Sequence, residues 1–345
     1  MSGVMLEISN TGTGGASPGR RLLKQGLSFV YRQLNSRERL MLGKLPGFLP
    51  LYRAVTRRWL RSAGVEDGLV LNRLQRFVFY TDAKDSETHR FLFDSYEPAT
   101  TFVFERILAA GDVVADVGAH WGYFTLLAAT LCGETGRVIA FEPHPRNVSI
   151  LNKNLQANCL HNVDVVPKAV SDEEGLAKLF LSRDSSGNSL ISVPPGAEAS
   201  PDENDHLVAD TITLDGFFTP PRRKPKLVKI DIEGAELAAL DGMKTLIRET
   251  ADLVLITELN PFYFGGAAGE AYLKRLIDQG FEIATIDDAR FQIEVGAVQQ
   301  MSRRALNKGY TVNLLAARTR RIDQVLFSEA GSGAPRRRAP KIVRL

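Results

Sequence analysis

The chain has 345 residues, 44% of them hydrophobic and 24% charged, with a formal net charge of +3. That length exceeds a typical single domain, the composition is that of a globular chain with a sizeable core, and no apolar run is long enough to span a bilayer. Two cysteines, Cys132 and Cys159, exclude a disulfide scaffold; with no secretory pattern at the N-terminus, they point to free thiols in helical segments of a cytoplasmic protein.

Residues 1–19, rich in Gly, Ser and Thr, predict a flexible leader. Residues 20–94 predict a basic helical N-terminal region. Between Arg20 and Arg61 a series of basic residues faces one acid, Glu38. There "RLLKQGLSFVYRQL" and "LYRAVTRRWLRSA" set apolar residues at helical spacing among basic ones, with the Pro-Gly of "LPGFLP" between them. Two basic amphipathic helices are expected, either packed on the main domain or resting on an anionic membrane surface or acidic partner.

The main domain is expected over 95–320. From Asp112 onward, strand-like runs alternate with amphipathic helices, the pattern of a mostly parallel sheet covered on both faces. "VVADVG" precedes a helix from Tyr123, "RVIAFEP" precedes "RNVSILNKNLQAN", and "VDVVPKAV" with "EGLAKLFLS" reads as a hairpin. "KLVKIDIEG" leads into "AELAALDGMKTLIRE", "ADLVLITEL" precedes a helix near "EAYLKRLIDQG", and "FEIATID" and "YTVNLLAA" finish the sheet. Residues 185–205 form a turn-rich insertion, either a surface loop or a flap, and 321–345 a basic flexible tail.

In such sheets, ligands sit beyond the carboxyl ends of the strands where the strand order reverses, which places the turn Asp116 to Gly122 at a cofactor site. A dinucleotide needs backbone N–H groups and a G-x-G-x-x-G spacing to approach its pyrophosphate. Here Gly118 and Gly122 stand four apart, and Asp116 sets a negative charge where the pyrophosphate belongs. S-adenosylmethionine, with an ammonium, a sulfonium and no phosphate, matches an acid at the strand end. Glu142, closing the next strand in "AFEP", suits the two hydroxyls of a ribose.

Four stretches, "DVGAHWGYFTLLAA", "GRVIAFEPHPRNVSILNKNLQAN", "NVDVVPKAVSDEEG" and "KIDIEGAELAALDGM", resemble in order and spacing the FkbM-type S-adenosylmethionine-dependent methyltransferases. The resemblance spans roughly residues 95 to 290. It implies a Rossmann-like class I methyltransferase fold, α/β, with a seven-stranded mostly parallel sheet and helices on both faces. It also implies that Asp116, Gly118, Ala119, His120 and Gly122 cradle the cofactor, that Glu142 holds the ribose, and that the adenine lies near Ala169 and Ser171. His120 stands where the family commonly has Asn.

Methyl transfer to a hydroxyl needs an aligned acceptor and a proton sink. In "KIDIEGAE" the strand period sets Lys229, Asp231 and Glu233 on one face and Ile230 and Ile232 on the other, at a strand's carboxyl end. Asp231 is the first candidate for general base, Glu258 its rival, and Lys229 pairs with Asp231; His144 and Glu97 are weaker candidates, and Glu236 complements the following helix N-terminus. Asp231 with Glu258 could hold a divalent cation, but no His-rich spacing supports one, and no metal is expected.

"ELNPFY" has the look of the nucleobase-gripping loop of amino methyltransferases but follows a different strand, which favours a hydroxyl acceptor. The resemblance implies the same: a hydroxyl of a sugar, glycolipid or polyketide-type molecule. The competing classes are a nucleic-acid methyltransferase or binder, suggested by the basic ends, and a non-catalytic adaptor that keeps the fold.

Overall fold

The computed structural model describes residues 65–344 apart from 182–205, 297–310, 319–321, 328–338, position 289 and short stretches between 67 and 95. The expected leader, the two basic helices and the insertion 185–205 lie outside the described residues.

Within 20–94, the described residues from 65 to 82 are mostly extended, not helical. Strands β1 (Val65–Glu66), β2 (Leu69–Arg73) and β3 (Val78–Asp82) form an antiparallel meander. The cause is local: "VFYTD" is a run of β-branched and aromatic residues whose burial alternates with period two, Phe79 and Thr81 pointing inward.

Helix α1 (Pro98–Ile107) follows, then β4 (Val113–Val117), α2 (Tyr123–Cys132), β5 (Arg137–Phe141), α3 (Pro145–Ala157) and β6 (Val163–Val166). Next come β7 (Ala169–Val170), β8 (Gly175–Phe180), β9 (His206–Ile212), the single turn α4 (Leu214–Phe217), β10 (Leu227–Ile230), α5 (Glu236–Asp241) and α6 (Lys244–Glu249). The C-terminal part holds β11 (Val254–Leu259), α7 (Pro261–Asp278), β12 (Glu282–Asp287), β13 (Gln292–Val295), β14 (Val312–Ala317), α8 (Ile322–Phe327) and β15 (Lys341–Arg344).

The main sheet has nine strands in the order β15-β13-β12-β14-β11-β10-β4-β5-β6. The expected seven are β6 through β12 in this order, parallel except for β14, which runs antiparallel to both neighbours. The correction lies at the edge, where β13 turns back on β12 and β15 pairs parallel with β13. Residues 321–345, expected as a flexible tail, thus contribute α8 and the edge strand β15. Two further expectations change. "EGLAKLFLS" pairs across the insertion with β9, in a small sheet ordered β7-β9-β8, and not with "VDVVPKAV". Cys159 lies past the end of α3 in a left-handed conformation; both cysteines are free thiols, Cys132 buried and Cys159 exposed.

All five residues of β4 are buried, as a central parallel strand requires. Val114 packs with Leu126, Leu151 and Leu326 on one face, and Val113, Ala115 and Val117 pack with Leu214, Leu240 and Tyr272 on the other. Helices therefore cover both faces. The N-terminal meander is attached by side chains that imitate a strand. Asn154 Oδ1 accepts from Tyr80 N at 2.6 Å and Asn158 Oδ1 from Val78 N at 2.8 Å, while their Nδ2 atoms donate to Tyr80 O and Val78 O. Four residues apart, both asparagines project from the same side of the last turns of α3. Among the described residues, no helix is long and apolar enough to cross a membrane.

Helix α1 has no side-chain cap of its own. Asp288, just beyond β12, replaces it, accepting from Ala99 N at 2.7 Å, Thr100 N at 3.0 Å and Thr100 Oγ1 at 2.7 Å. Asp288→Ala is expected to destabilise the protein by about 1–3 kcal/mol in urea unfolding, because the N–H groups it satisfies are buried; an unchanged midpoint contradicts this role.

Candidate active site

Strand β4 pairs with β5 on one side and β10 on the other, and from it the chain order runs outward both ways. The crevice opens at the carboxyl ends of these strands. There the turn after Val117 is pressed against β10: a Cβ on Gly118, at φ 82°, would lie 1.9 Å from Asp231 O. Gly122, at φ 92°, leaves no room for a Cβ against Leu151 Cδ1, 2.2 Å away. The N–H groups of Gly118 and Ala119 both donate to Phe141 O at 3.0 Å, lacing the turn to the end of β5. His120 has φ 51°, a left-handed conformation in which Asn and His are both enriched.

Glu142 is buried and accepts three hydrogen bonds, from His120 N (2.8 Å) at Oε2 and from His144 N (3.0 Å) and Asn147 Nδ2 (3.2 Å) at Oε1. Burial pushes its pKa up to about 7 against those donors, which lower it. Asp116 is also buried, and its Oδ2 accepts from Thr125 Oγ1 at 2.6 Å. Its pKa is raised by burial, opposed first by the Lys229 charge.

Lys229 and Asp116 are register partners on adjacent strands. The Lys229 ammonium, 4% exposed, donates to Asp231 Oδ2 at 2.6 Å and lies 4.9 Å from the Phe124 ring centroid. Burial works to lower its pKa, but Asp231, Asp116 and Glu97 prevail, and the group stands above the usual lysine range and stays charged. Asp231, Glu233 and Glu258 each place an oxygen within 4.8 Å of the others. Asn260 Nδ2 bridges two of them, donating to Glu233 Oε2 at 3.0 Å and Glu258 Oε2 at 3.3 Å. Burial, and then the Glu233 and Asp231 charges, hold the Glu258 carboxyl well above its ordinary range.

One cavity gathers most of the expected residues: Asp116, Gly118, Ala119, His120, Glu142, Ala169, Lys229, Asp231 and Glu258 all line it. Gly122 shapes the turn without lining the cavity, and the Ser171 hydroxyl turns to Asp172 Oδ1 at 3.1 Å. Glu233 reaches the cavity through a left-handed residue (φ 53°) after β10 has ended, and Ile232, expected on the opposite face, lines it too. Glu236 does not line the cavity. Its oxygens accept from Ile232 N (3.2 Å) and Gly234 N (2.9 Å), as expected for a residue at the start of α5, and burial pushes its pKa up to about 7.

Sequence reasoning missed the opposite wall. Phe79, Phe91 and Tyr96 line the cavity together with Glu97, a non-glycine residue at φ 38° that begins α1. Phe91 stacks on Tyr96 at 4.4 Å between centroids and lies 5.9 Å from Trp121. Of this wall only Glu97 had been a candidate from the sequence; Phe79, Phe91 and Tyr96 carried no local signal.

Residues 116–283 match the family model described as the methyltransferase FkbM domain. No curated protein sequence matches the chain. Among solved structures, it is similar to a precorrin-6y C5,15-methyltransferase from Geobacter metallireducens (16% identity, 65% of this chain and 89% of that one, TM-score 0.36). It is also similar to an rRNA methylase from Streptococcus thermophilus (12%, 64% and 95%, 0.37). A third is the O-methyltransferase TomG from Streptomyces achromogenes (12%, 64% and 79%, 0.38).

Glu142 and Glu236 titrate near 7 when folded and near 4.5 when unfolded. Between those values the folded chain holds protons that the unfolded chain has released, so their contribution to stability falls as pH rises through this window. Glu236→Gln is expected to flatten the decline of the unfolding free energy between pH 5 and about pH 7; a slope identical to that of the parent protein contradicts the burial effect.

Proposed function

We propose that the protein is an S-adenosylmethionine-dependent O-methyltransferase acting on a hydroxyl of a sugar, glycolipid or polyketide-type small molecule. The observation that carries this reading is the pair of buried carboxylates, Asp116 and Glu142, at neighbouring strand ends around a glycine turn. A pyrophosphate would be repelled there, while a cationic nucleoside is attracted. The FkbM match over the same residues supports it.

S-adenosylmethionine would supply an electrophilic methyl group on a sulfonium. The residues present fit it. Glu142, whose oxygens keep acceptor capacity beyond three N–H bonds, would bind the ribose hydroxyls. Gly118, Ala119 and His120 would hold the methionine portion with main chain, Asp116 would offer it negative charge, and Ala169, which lines the cavity, would hold the adenine, with Ser171 next along the chain. Asp231 takes the proton of the acceptor hydroxyl, and Lys229 holds that carboxylate in place and balances its charge. Glu258, pushed toward its neutral form by burial and its acidic neighbours, would in that form donate a hydrogen bond to the acceptor oxygen. The acid-rich lining weighs against a polynucleotide acceptor. The basic segment 20–61 suits peripheral contact with an anionic membrane from the cytoplasm.

Labelled methyl transfer from S-adenosylmethionine into a panel of sugars and polyketide-type alcohols tests the reaction. Asp231→Asn is expected to lower kcat by about 10²–10⁴-fold while S-adenosylhomocysteine affinity is retained; label arriving on amines, or on no hydroxyl, sinks the O-methyltransferase reading. Because ribose hydroxyls donate to ionised Glu142, S-adenosylhomocysteine affinity by calorimetry should weaken up to about tenfold per pH unit below about 7. Glu142→Ala should bind more weakly and lose that dependence, and a pH-independent affinity in the parent protein contradicts the ribose role.

A further inference from the structure

In the reading above, the cofactor takes the turn Asp116 to Gly122, Glu142 and the region of Ala169. The aromatic wall of the cavity, Phe79, Phe91 and Tyr96, is left to face the acceptor. Phe79 belongs to β3, in a three-stranded meander that forms a sheet separate from the nine-stranded one. A sheet this small depends for its place on what it packs against.

Asn154, on α3, is fully buried, and both of its amide hydrogens are in use. Its Oδ1 accepts from Tyr80 N at 2.6 Å, and its Nδ2 donates to Tyr80 O at 3.0 Å and to Trp121 O at 2.8 Å. One side chain therefore joins β3, next to Phe79, to the turn that receives the cofactor. The residue before Trp121 completes the connection, since His120 N donates to Glu142 Oε2 at 2.8 Å. Asn158, on the same side of the helix, provides an internal comparison. It makes the same pair of bonds to Val78, but its remaining hydrogen goes to Asn154 O at 2.7 Å and not to the turn. The other links between α3 and the meander are less directional. The Arg146–Asp82 ion pair is solvated on the arginine side, and Lys153 lies over the Tyr80 ring at 4.6 Å. Apolar contacts such as Phe79 with Tyr123, 6.1 Å between centroids, fill space without fixing register.

Resting on the cofactor-binding part of the methyltransferase reading, we propose that Asn154 is a positioning residue that makes the aromatic wall answer to the cofactor. A nucleoside seated on Glu142 and on the turn restrains the Trp121 carbonyl. Through Asn154 that restraint passes to Tyr80, and Phe79 is held at its place in the cavity. The acceptor end is then fully fixed only in the cofactor-bound protein. An opening of β3 that breaks the Asn154 bonds also disturbs the turn, so bound ligand suppresses that opening.

The test uses the full-length protein, with S-adenosylhomocysteine binding first verified by calorimetry. Failure at that step strikes the methyltransferase reading; failure after it strikes only the present proposal. Hydrogen–deuterium exchange then follows residues 78–82, where the Tyr80 amide reports on its bond to Asn154. With S-adenosylhomocysteine at about 100 times its Kd, exchange there is expected to slow at least about tenfold. Asn154→Ala, with S-adenosylhomocysteine binding as its folding control, is expected to reduce that slowing to less than about twofold. Asn158→Ala loosens the same strand but leaves the bond to Trp121 O, so it is expected to exchange faster throughout and to keep the slowing on ligand binding. A merely structural role would move both variants alike. The measurement on the parent protein needs no variant to fold. Unchanged exchange over 78–82 when the ligand binds, full slowing in Asn154→Ala, or loss of the slowing in Asn158→Ala would each overturn the proposal.

Discussion

A carboxylate buried at the end of a strand must be hydrogen-bonded or it destabilises the fold, and Glu142 meets that demand in a way that organises its surroundings. Its three donors come from the turn after β4, from the residue before α3, and from the first turn of α3. One side chain thereby ties the turn after β4, strand β5 and helix α3 into a single unit. The same helix carries Asn154 and Asn158 at its other end, and these hold the N-terminal meander. The aromatic wall is thus positioned, through α3, by the same element that positions the Glu142 carboxylate.

The second organising feature is charge. Acidic groups gather at the carboxyl ends of β4, β5, β10 and β11, where the lysine on β10 is the buried counter-ion. Lys229 is flanked by Asp116 across the strand pair and by Asp231 two residues on, so removing its charge would leave several carboxylates without compensation. Burial raises Glu142 and Glu258 toward their neutral forms, while Lys229 remains an ammonium.

The parallel half of the sheet was legible because its strands are continuous apolar runs ending in acids: "VVADVG", "RVIAF" and "KIDIEG" each carry their own position and their own chemistry. The acids Asp116, Asp231 and Glu233 that line the cavity are carried by these stretches. The edge strands were not legible, since β15 sits in a basic, proline-containing stretch and gains strand character only by pairing with β13. The aromatic wall was also hidden. Phe79 reaches the cavity through bonds between β3 and side chains about 75 residues away, a long-range docking that local periodicity does not encode. Ile232 was assigned to the opposite face by strand alternation past the point where β10 ends, whereas it lines the cavity beside Asp231 and Glu233.

The central claim is that carboxylates at two neighbouring strand ends select a cationic, phosphate-free nucleoside. A crystal structure of the protein grown with S-adenosylhomocysteine and, separately, with NAD⁺ tests it most directly. The account predicts S-adenosylhomocysteine with its ribose hydroxyls on Glu142 and its methionine portion over Gly118 to His120, and no NAD⁺ in that crevice. A pyrophosphate seated on the turn, or a nucleoside that leaves Glu142 untouched, would contradict it.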